Sequence, residues 1–214
     1  MKLYTYFRSS AAYRVRIALN LKGLPWEAAA VHLARDGGEQ HSDAYRAVNP
    51  AALVPTLDDR GATLTQSLAI IEYLEEMRPQ PALLPSNLIA RARVRAIAQA
   101  IACDIHPINN LRVLKYLTGE MGLSEDQKMQ WYRHWVDTGL AAVEAMLADH
   151  PDTGQFCHGD TPGLADCCLV PQVYNARRFN CRLDHVPTVM RIVEACEGLP
   201  AFQAASPGAQ ADAE

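Results

Sequence analysis

The chain has 214 residues, of which 49% are apolar and 21% are charged, a balance typical of a globular protein with a buried core. Its formal net charge of -4 gives no electrostatic attraction to nucleic acid or to an acidic membrane surface. No apolar run approaches the roughly 18 residues that span a bilayer, and the first residues do not resemble a secretory signal. We therefore expect a cytoplasmic protein with neither a nucleic-acid partner nor a membrane partner.

The six cysteines all lie in the second half of the chain, and none forms a C-x-x-C pair. This spacing argues against a zinc site and against a thioredoxin-type redox site, so we expect no metal. A chain of this size without a secretory signal favours reduced thiols over disulfides. Adjacent Cys167 and Cys168 lie in an apolar helical run, where free cysteine packs as a small hydrophobe.

A turn rich in hydroxyls is predicted between the first strand and the first helix. Residues 2–7 form an apolar run typical of a strand, and Arg8, Ser9 and Ser10 follow it directly. Ser9 or Ser10 is a natural N-cap, and the free N–H groups of a helix N-terminus also attract an anion. Two interpretations remain open on these residues alone: an anion site, or an ordinary strand–helix junction with a capping serine.

The rest of the first domain alternates between strands and helices. The helix after the turn is predicted to bury Val15, Ala18 and Leu19 on one face and to point Arg14 and Arg16 outward. The elements that follow are a strand at 26–33, a mobile polar loop at 34–41, a short helix at 42–48, strands at 53–57 and 62–64 around a tight turn, and an amphipathic helix at 66–78. The order β-α-β-α-β-β-α indicates a small α/β domain at residues 1–80.

Strand signals disappear after a proline-containing linker at residues 81–88, and the remaining chain, 89–214, is predicted to be all helical. The predicted helices lie at 89–117, with an interruption by Pro107 near His106, and at 124–148, 162–178 and 187–196. The tail from residue 206 onward is small and polar, and we expect it to be frayed. Because small-molecule sites favour domain junctions, the hydroxyl-rich turn is expected to face a cleft between the two domains.

Four blocks in the right order are similar to one family over essentially the whole chain. The stretches RSSAAYRVRIAL, LVPTL, QSLAIIEYLEE and LADCCLVPQV resemble the glutathione transferase superfamily and, within it, the zeta class. The resemblance implies an α/β thioredoxin-like domain followed by an all-α helical domain, which is the layout predicted above. It also implies glutathione as cofactor, a small acidic diketo substrate and a homodimer, with no metal.

The resemblance also implies roles for individual residues. The residues with implied catalytic roles are Arg8, Ser9, Ser10 and Arg178. The residues with implied glutathione-binding roles are Gln40, Val54, Pro55, Gln66, Ser67, His106, Asn110 and Arg112. A hydroxyl that donates to the glutathione sulfur stabilises its thiolate, and a guanidinium holds a carboxylate in bidentate fashion.

Three of these blocks carry features that a structure can test. Val54–Pro55 resembles a cis-proline turn that presents its backbone to an extended peptide. The family usually continues its Ser-Ser pair with Cys, and here Ala11 takes that place, which argues against a catalytic cysteine. The superfamily usually caps the buried helix near residue 164 with Ser or Thr, whereas this chain has Gly163. Asp166 is still expected to accept the Gly163 N–H as half of a capping box.

The implied activity is glutathione-dependent isomerisation of maleylacetoacetate to fumarylacetoacetate in aromatic amino-acid breakdown. Maleylpyruvate isomerisation in gentisate-type aromatic degradation is the alternative, because either acid fits the same arginines. A general glutathione transferase or haloacid-dehalogenating enzyme is a further alternative, and it would consume glutathione stoichiometrically. A glutathione-binding protein without catalysis is the non-enzymatic alternative, and the presence together of the implied hydroxyls and Arg178 argues against it.

Overall fold

The computed structural model describes all 214 residues and divides them into two compact units. The first unit comprises Met1–Leu83 together with Gly198–Glu214, and the second comprises Leu84–Glu197. This division follows the predicted change near residues 81–88, but it groups residues 198–214 with the first unit. The sequence had placed those residues in the helical domain.

The first unit is built on a four-stranded mixed sheet with the spatial order β2-β1-β3-β4. Its elements in chain order are β1 (Lys2–Thr5), α1 (Ser10–Leu21), β2 (Glu27–Ala30), α2 (Asp43–Val48), β3 (Thr56–Asp59), β4 (Ala62–Thr65) and α3 (Ser67–Met77). β1 pairs with β2 in parallel and with β3 in antiparallel fashion, and β3 pairs with β4 in antiparallel fashion. The predicted order β-α-β-α-β-β-α is confirmed. β3 begins one residue after Pro55, because proline has no N–H to donate to the ladder.

The prediction that Arg14 and Arg16 point outward was wrong, since they are 2% and 0% exposed. Helix α1 is buried around its whole circumference. The buried Arg16 guanidinium donates hydrogen bonds to backbone carbonyl groups where an exposed arginine would donate to water. Its acceptors are the carbonyl oxygens of Tyr6 at 3.3 Å, Phe7 at 2.9 Å and Ala205 at 2.9 Å. A buried arginine is tolerated only when its donors are satisfied in this way.

A buried ion pair closes the other end of α1. The Lys22 ammonium is fully buried, pairs with the Glu75 carboxylate, and also donates to the carbonyls of Arg78 at 2.7 Å and Pro81 at 2.6 Å. Glu75 in turn accepts the Leu83 N–H at 2.9 Å. The first residues of the predicted linker are therefore tied to the first unit.

The prediction of a frayed tail was also wrong. Helix α9 (Pro200–Ala205) is followed by a 3-10 turn at Pro207–Ala209, in which Pro207 is buried. Further along, Asp212 accepts the backbone N–H of Phe7 at 3.0 Å. Apolar burial and specific hydrogen bonds outweigh the small, polar composition on which the prediction rested.

The second unit contains helices only. They are α4 (Leu88–Gln99), α5 (Leu111–Gly119), α6 (Glu125–Leu147), α7 (Leu164–Arg178) and α8 (Pro187–Glu197). Between α4 and α5 the chain forms a π-helical stretch at Ala100–Ile105 and a 3-10 turn at Pro107–Asn109, so the predicted interruption near His106 is confirmed. α6 begins with a full capping box in which Ser124 and Gln127 bond each other's backbone.

Helix α7 lies at the centre of this unit and packs against α4 and α8. Cys167 and Cys168 are both fully buried, as their apolar context predicted, and all six cysteines are free thiols. Asp166 accepts the Gly163 N–H at 2.8 Å, which confirms the expected half capping box. No helix is both long enough and apolar enough to cross a membrane.

Candidate active site

The turn between β1 and α1 presents one partly exposed hydroxyl. Ser9 is the N-cap of α1, with φ of -69° and ψ of 115°, and its oxygen accepts the Ala12 N–H at 3.2 Å. Its hydroxyl hydrogen remains able to donate elsewhere. Ser10, the first helical residue, is only 5% exposed, whereas Ser9 is half-buried. The geometry thus favours Ser9 over Ser10 as the group that meets a ligand at this helix N-terminus.

Arg8 places a positive charge directly before this hydroxyl. Its Nε and Nη2 donate to the Tyr6 hydroxyl at 3.2 and 2.8 Å, and its guanidinium lies 4.7 Å from the centre of the Phe7 ring. These aromatic contacts hold the side chain in place while its charge remains without a carboxylate partner. A guanidinium fixed in this way is suited to a ligand carboxylate.

The start of α3 forms a second anion-binding position. Gln66 precedes the helix with a φ of +69°, a strained conformation for a non-glycine residue, and no side chain caps the first N–H groups. Ser67 is the first helical residue, and its hydroxyl accepts a hydrogen bond from Arg14 Nη1 at 3.2 Å. The uncapped helix N-terminus and the buried cation both favour a carboxylate here.

Arg14 is not among the site residues predicted from the sequence, because an arginine on an amphipathic helix is expected to face water. The signal that could have found it is the composition of α1 itself. Nearly every other residue from Ala11 to Leu19 is apolar, the pattern of a helix that is buried all round.

The Val54–Pro55 peptide bond is cis, as predicted. No hydrogen bond within the chain uses the Val54 N–H or carbonyl, so both remain available to an extended ligand backbone.

Two residues that the sequence analysis did not single out hold this turn. The Tyr45 hydroxyl and the Asn49 side-chain amide both donate to the Leu53 carbonyl, at 2.6 and 2.8 Å. Burial raises the pKa of Tyr45, so the phenol stays a neutral donor.

Gln40 lies in a segment of two short 3-10 turns, Arg35–Gly37 and Glu39–His41, where the sequence predicted a mobile loop. Its side chain is buried, and the amide nitrogen approaches the Leu33 carbonyl at 3.5 Å while the amide oxygen has no partner. The amide nitrogen also lies 3.1 Å from His41 Nε2, so the side chain is held within its own segment, and a contact between Gln40 and a ligand stays a prediction.

In the second unit, the structure brings His106 and Asn110 together. Asn110 is the N-cap of α5, and its amide nitrogen lies 3.3 Å from His106 Nε2 while its oxygen accepts the Arg112 N–H at 3.1 Å. The Arg112 side chain itself is exposed. These three residues share one short segment, and two of them are in direct contact.

The structure separates the two neighbouring arginines at the end of α7. Arg177 pairs with the Glu197 carboxylate at 2.6 Å. Arg178 is exposed, and its guanidinium lies 4.7 Å from the centre of the Phe179 ring, which packs on Tyr132. Arg178 is therefore the arginine whose charge is left for a ligand, in agreement with the residue chosen from the sequence.

Taken unit by unit, the geometry fits a tripeptide thiol with carboxylate ends. In the first unit, the uncapped N-terminus of α3 can bind a carboxylate, and the backbone of Val54 can pair with a peptide backbone. The Gln40 amide can meet an N–H, and the Ser9 hydroxyl can donate to a sulfur. The second unit supplies a histidine–asparagine contact and an unpaired arginine. No group of three or more His, Cys, Asp or Glu side chains is placed to hold a metal.

Comparison with known proteins identifies the family of both units. Residues 3–82 match the family model for the glutathione S-transferase N-terminal domain, and residues 131–204 match the model for the C-terminal domain. The chain is 52% identical over 213 residues to maleylacetoacetate isomerase of Pseudomonas aeruginosa PAO1, covering 99% of this chain and 98% of that protein.

Two solved structures are similar over the full length of both chains. One is a holo structure of maleylpyruvate isomerase, a bacterial zeta-class glutathione S-transferase, with 50% identity and a TM-score of 0.97. The other is maleylacetoacetate isomerase of Methylobacterium extorquens AM1 with bound malonate and glutathione, with 42% identity and a TM-score of 0.96. With both family models matched and about half of its residues identical to these isomerases over its full length, the chain belongs to the zeta class of the glutathione S-transferase family.

Proposed function

We propose that this chain is a glutathione-dependent cis–trans isomerase that converts maleylacetoacetate to fumarylacetoacetate, with maleylpyruvate as the alternative substrate. Relatives named for each of the two activities are 52% and 50% identical to it over nearly the whole chain. The observation that carries the proposal is the turn at Arg8 and Ser9. There a half-buried hydroxyl at a helix N-terminus adjoins an arginine that no carboxylate neutralises.

Glutathione fits the first unit in an extended conformation. The γ-glutamyl carboxylate would lie at the start of α3, against Gln66, Ser67 and the Arg14 charge. The peptide backbone would pair with the N–H and carbonyl of Val54 beside Pro55, and Gln40 would meet the glycyl end. His106, Asn110 and Arg112 are proposed as glutathione-binding residues on the family resemblance alone.

The chain's main contribution to the chemistry is to keep a sulfur ionised. When bound, glutathione supplies a thiolate that adds reversibly to the cis double bond and is released again after rotation. The Ser9 hydroxyl donates to this sulfur, and the α1 N-terminus adds a favourable field, so both lower the thiol pKa. Ser10 is proposed in a supporting role, because its side chain is buried.

The arginines explain why the substrate is an acid. Arg8 and Arg178 each present a guanidinium held against an aromatic ring, and each can bind a carboxylate or an adjacent carbonyl oxygen in bidentate fashion. Negative charge grows on the carbonyl oxygen in the transition state. A guanidinium next to it therefore stabilises the transition state more than the ground state.

The deciding experiment is a side-by-side assay of purified protein on maleylacetoacetate and maleylpyruvate, with and without glutathione. We expect conversion to the fumaryl isomer with no net consumption of glutathione. Stoichiometric loss of glutathione would favour a general transferase or dehalogenating enzyme. Retention on glutathione-agarose without turnover of either acid would favour a binding protein and overturn the proposal.

A paired substitution tests the hydroxyls. Ser9→Ala is expected to raise the pKa of the bound glutathione thiol, read from the thiolate absorbance, and Ser10→Ala is expected to raise it less. A larger effect of Ser10→Ala would reverse the assignment, and no effect of either would remove the hydroxyls from the mechanism.

We also propose that the chain forms a homodimer and works in the cytoplasm. Leu88 and Ile89 at the start of α4 are 81% and 82% exposed, and they offer an apolar surface to a second copy. All six cysteines are free thiols, which suits a reducing compartment. Light scattering of the wild type and of a Leu88→Glu, Ile89→Glu variant tests the dimer: a monomeric wild type would refute it.

A further inference from the structure

The tail segment, defined here as residues 206–214, contacts the turn that carries Arg8 and Ser9. The Asp212 side chain accepts the backbone N–H of Phe7 at 3.0 Å, and Phe7 immediately precedes Arg8. Because β1 ends at Thr5, the sheet provides no partner for this N–H. A carboxylate from the far end of the chain therefore satisfies it, in a charge-assisted hydrogen bond of the stronger kind.

The carbonyl of the same residue is also fixed by a side chain. Arg16 Nη2 donates to the Phe7 oxygen at 2.9 Å, and Arg16 Nε donates to the Ala205 oxygen at 2.9 Å. The N–H and the carbonyl of Phe7 are thus both bonded to side chains. The N–H bonds Asp212 directly, and the carbonyl bonds Arg16, which also bonds Ala205. No regular strand or helix contains Phe7, so its backbone is held by these two bonds together with the burial of its side chain, and the Ser9 N–H donates to the neighbouring Tyr6 oxygen at 2.9 Å.

A second contact of the tail segment is weaker. Glu214 accepts from Arg35 Nη2 at 2.9 Å and lies 3.3 Å from His32 Nε2, and Arg35 lowers the pKa of this carboxyl. The Glu214 side chain is 53% exposed, and ion pairs on exposed surfaces contribute little. Asp212, which bonds a buried residue, is expected to carry most of the effect of the tail segment.

We propose that Asp212 is a positioning residue: it fixes the Phe7 backbone so that the Ser9 hydroxyl and the Arg8 guanidinium are held where the sulfur and the acid react. This inference rests on the proposed function and deepens it. It predicts that a side chain remote in sequence from the site controls the ionisation of the bound thiol. A role in stability alone would not do so.

The test compares three variants of the full chain. Asp212→Ala removes the acceptor, Asp212→Asn keeps an amide oxygen that can accept the same N–H, and Gln210→Ala serves as the matched control. Gln210 Nε2 bonds only carbonyls close to it in the chain, those of Ala204 and Ser206, both at 2.9 Å. The control therefore loosens the tail segment without removing the bond to Phe7.

For each variant the measurements are the thiol pKa of bound glutathione, the glutathione Kd by calorimetry, and kcat and KM for the maleyl acid. Asp212→Ala is expected to raise the thiol pKa and to lower kcat about tenfold, because small displacements of reacting groups cost one to two orders of magnitude. The glutathione Kd should change less than about twofold, since the α3 site is untouched. Asp212→Asn should restore kcat to within about threefold of the wild type, and Gln210→Ala should leave the thiol pKa unchanged.

An unchanged thiol pKa in Asp212→Ala, or an equal shift in Gln210→Ala, would overturn the positioning role. Equal loss in Asp212→Ala and Asp212→Asn would overturn the hydrogen-bond argument on which it stands. The thiol pKa is measured without substrate, so it separates the two proposals. A wild type without turnover refutes the isomerase, while a pKa shift in Asp212→Ala would still support the role of Asp212.

Discussion

Asp166 offers the sharpest test of how the second unit is held together. It is 1% exposed, and its two oxygens accept the backbone N–H groups of Gly163 at 2.8 Å and Cys157 at 2.9 Å. A third, weak donor, the Cys196 thiol, lies 3.9 Å away. One buried carboxylate therefore joins the start of α7 to the loop that precedes it.

The cost of Asp166→Ala follows from the groups that it leaves behind. The buried N–H of Cys157 and the partly buried N–H of Gly163 lose their partner, and each unmade bond costs about 1–3 kcal/mol at full burial. Burial raises the pKa of Asp166 despite these two donors, so desolvation already offsets part of what the carboxylate contributes. We expect a net loss of about 2–4 kcal/mol, a large share of the roughly 5–15 kcal/mol of a typical domain. Asp166→Asn keeps one acceptor and should lose less.

The assay is urea unfolding followed by circular dichroism, with linear extrapolation to water. The matched control is Asp184→Ala, which removes an exposed carboxylate paired with Arg182, and its effect on the free energy of unfolding should be much smaller than that of Asp166→Ala. A loss below about 1 kcal/mol for Asp166→Ala would refute the reasoning, as would an Asp184→Ala loss of equal size.

Three further predictions follow from single contacts. Gly38→Ala should raise the glutathione Kd at least about threefold by calorimetry, because Gly38 has a φ of +114° and an added Cβ would lie 2.5 Å from the Gln40 amide. A thiol reagent at pH 8 should react quickly only with the exposed Cys103. Cys181 should react slowly, because burial raises its pKa to about 11 and little thiolate is present at pH 8. Lys22→Met should cost about 3–5 kcal/mol in urea unfolding, since it removes the cation that pairs with the buried Glu75 carboxylate. An unchanged glutathione Kd in Gly38→Ala would contradict the first prediction, and rapid labelling of several cysteines would contradict the second. A loss of unfolding free energy under about 1 kcal/mol in Lys22→Met would contradict the third.

Much of the fold could be predicted from local sequence signals. A capping serine before α1 and the bond from the Gly163 N–H to Asp166 are where the spacing of hydroxyl and carboxylate residues indicated them. The break after Ile105 follows from Pro107, which cannot continue the helical hydrogen bonding. Such signals work because they act over three or four residues, within one turn of helix.

The candidate site was predicted through resemblance more than through local pattern. The cis bond at Pro55 is confirmed by the structure, whereas the catalytic role of Ser9 and the binding roles of Gln40, His106 and Arg112 stay predictions. Composition could not reveal that Tyr45 and Asn49 hold the cis-proline turn, because they contact it only through tertiary packing.

By itself the sequence determined the order of elements, the two-part layout and the family, because periodicity, capping and motif spacing are local properties. Only the tertiary structure decided which charged side chains are buried and which groups they bond. Arg14 and Arg16 are buried, and Asp212 belongs to the turn at Phe7, because distant carbonyl, hydroxyl and N–H groups converge on them. Whether a charge can leave water depends on partners that the fold brings from far along the chain, and no local pattern contains that information.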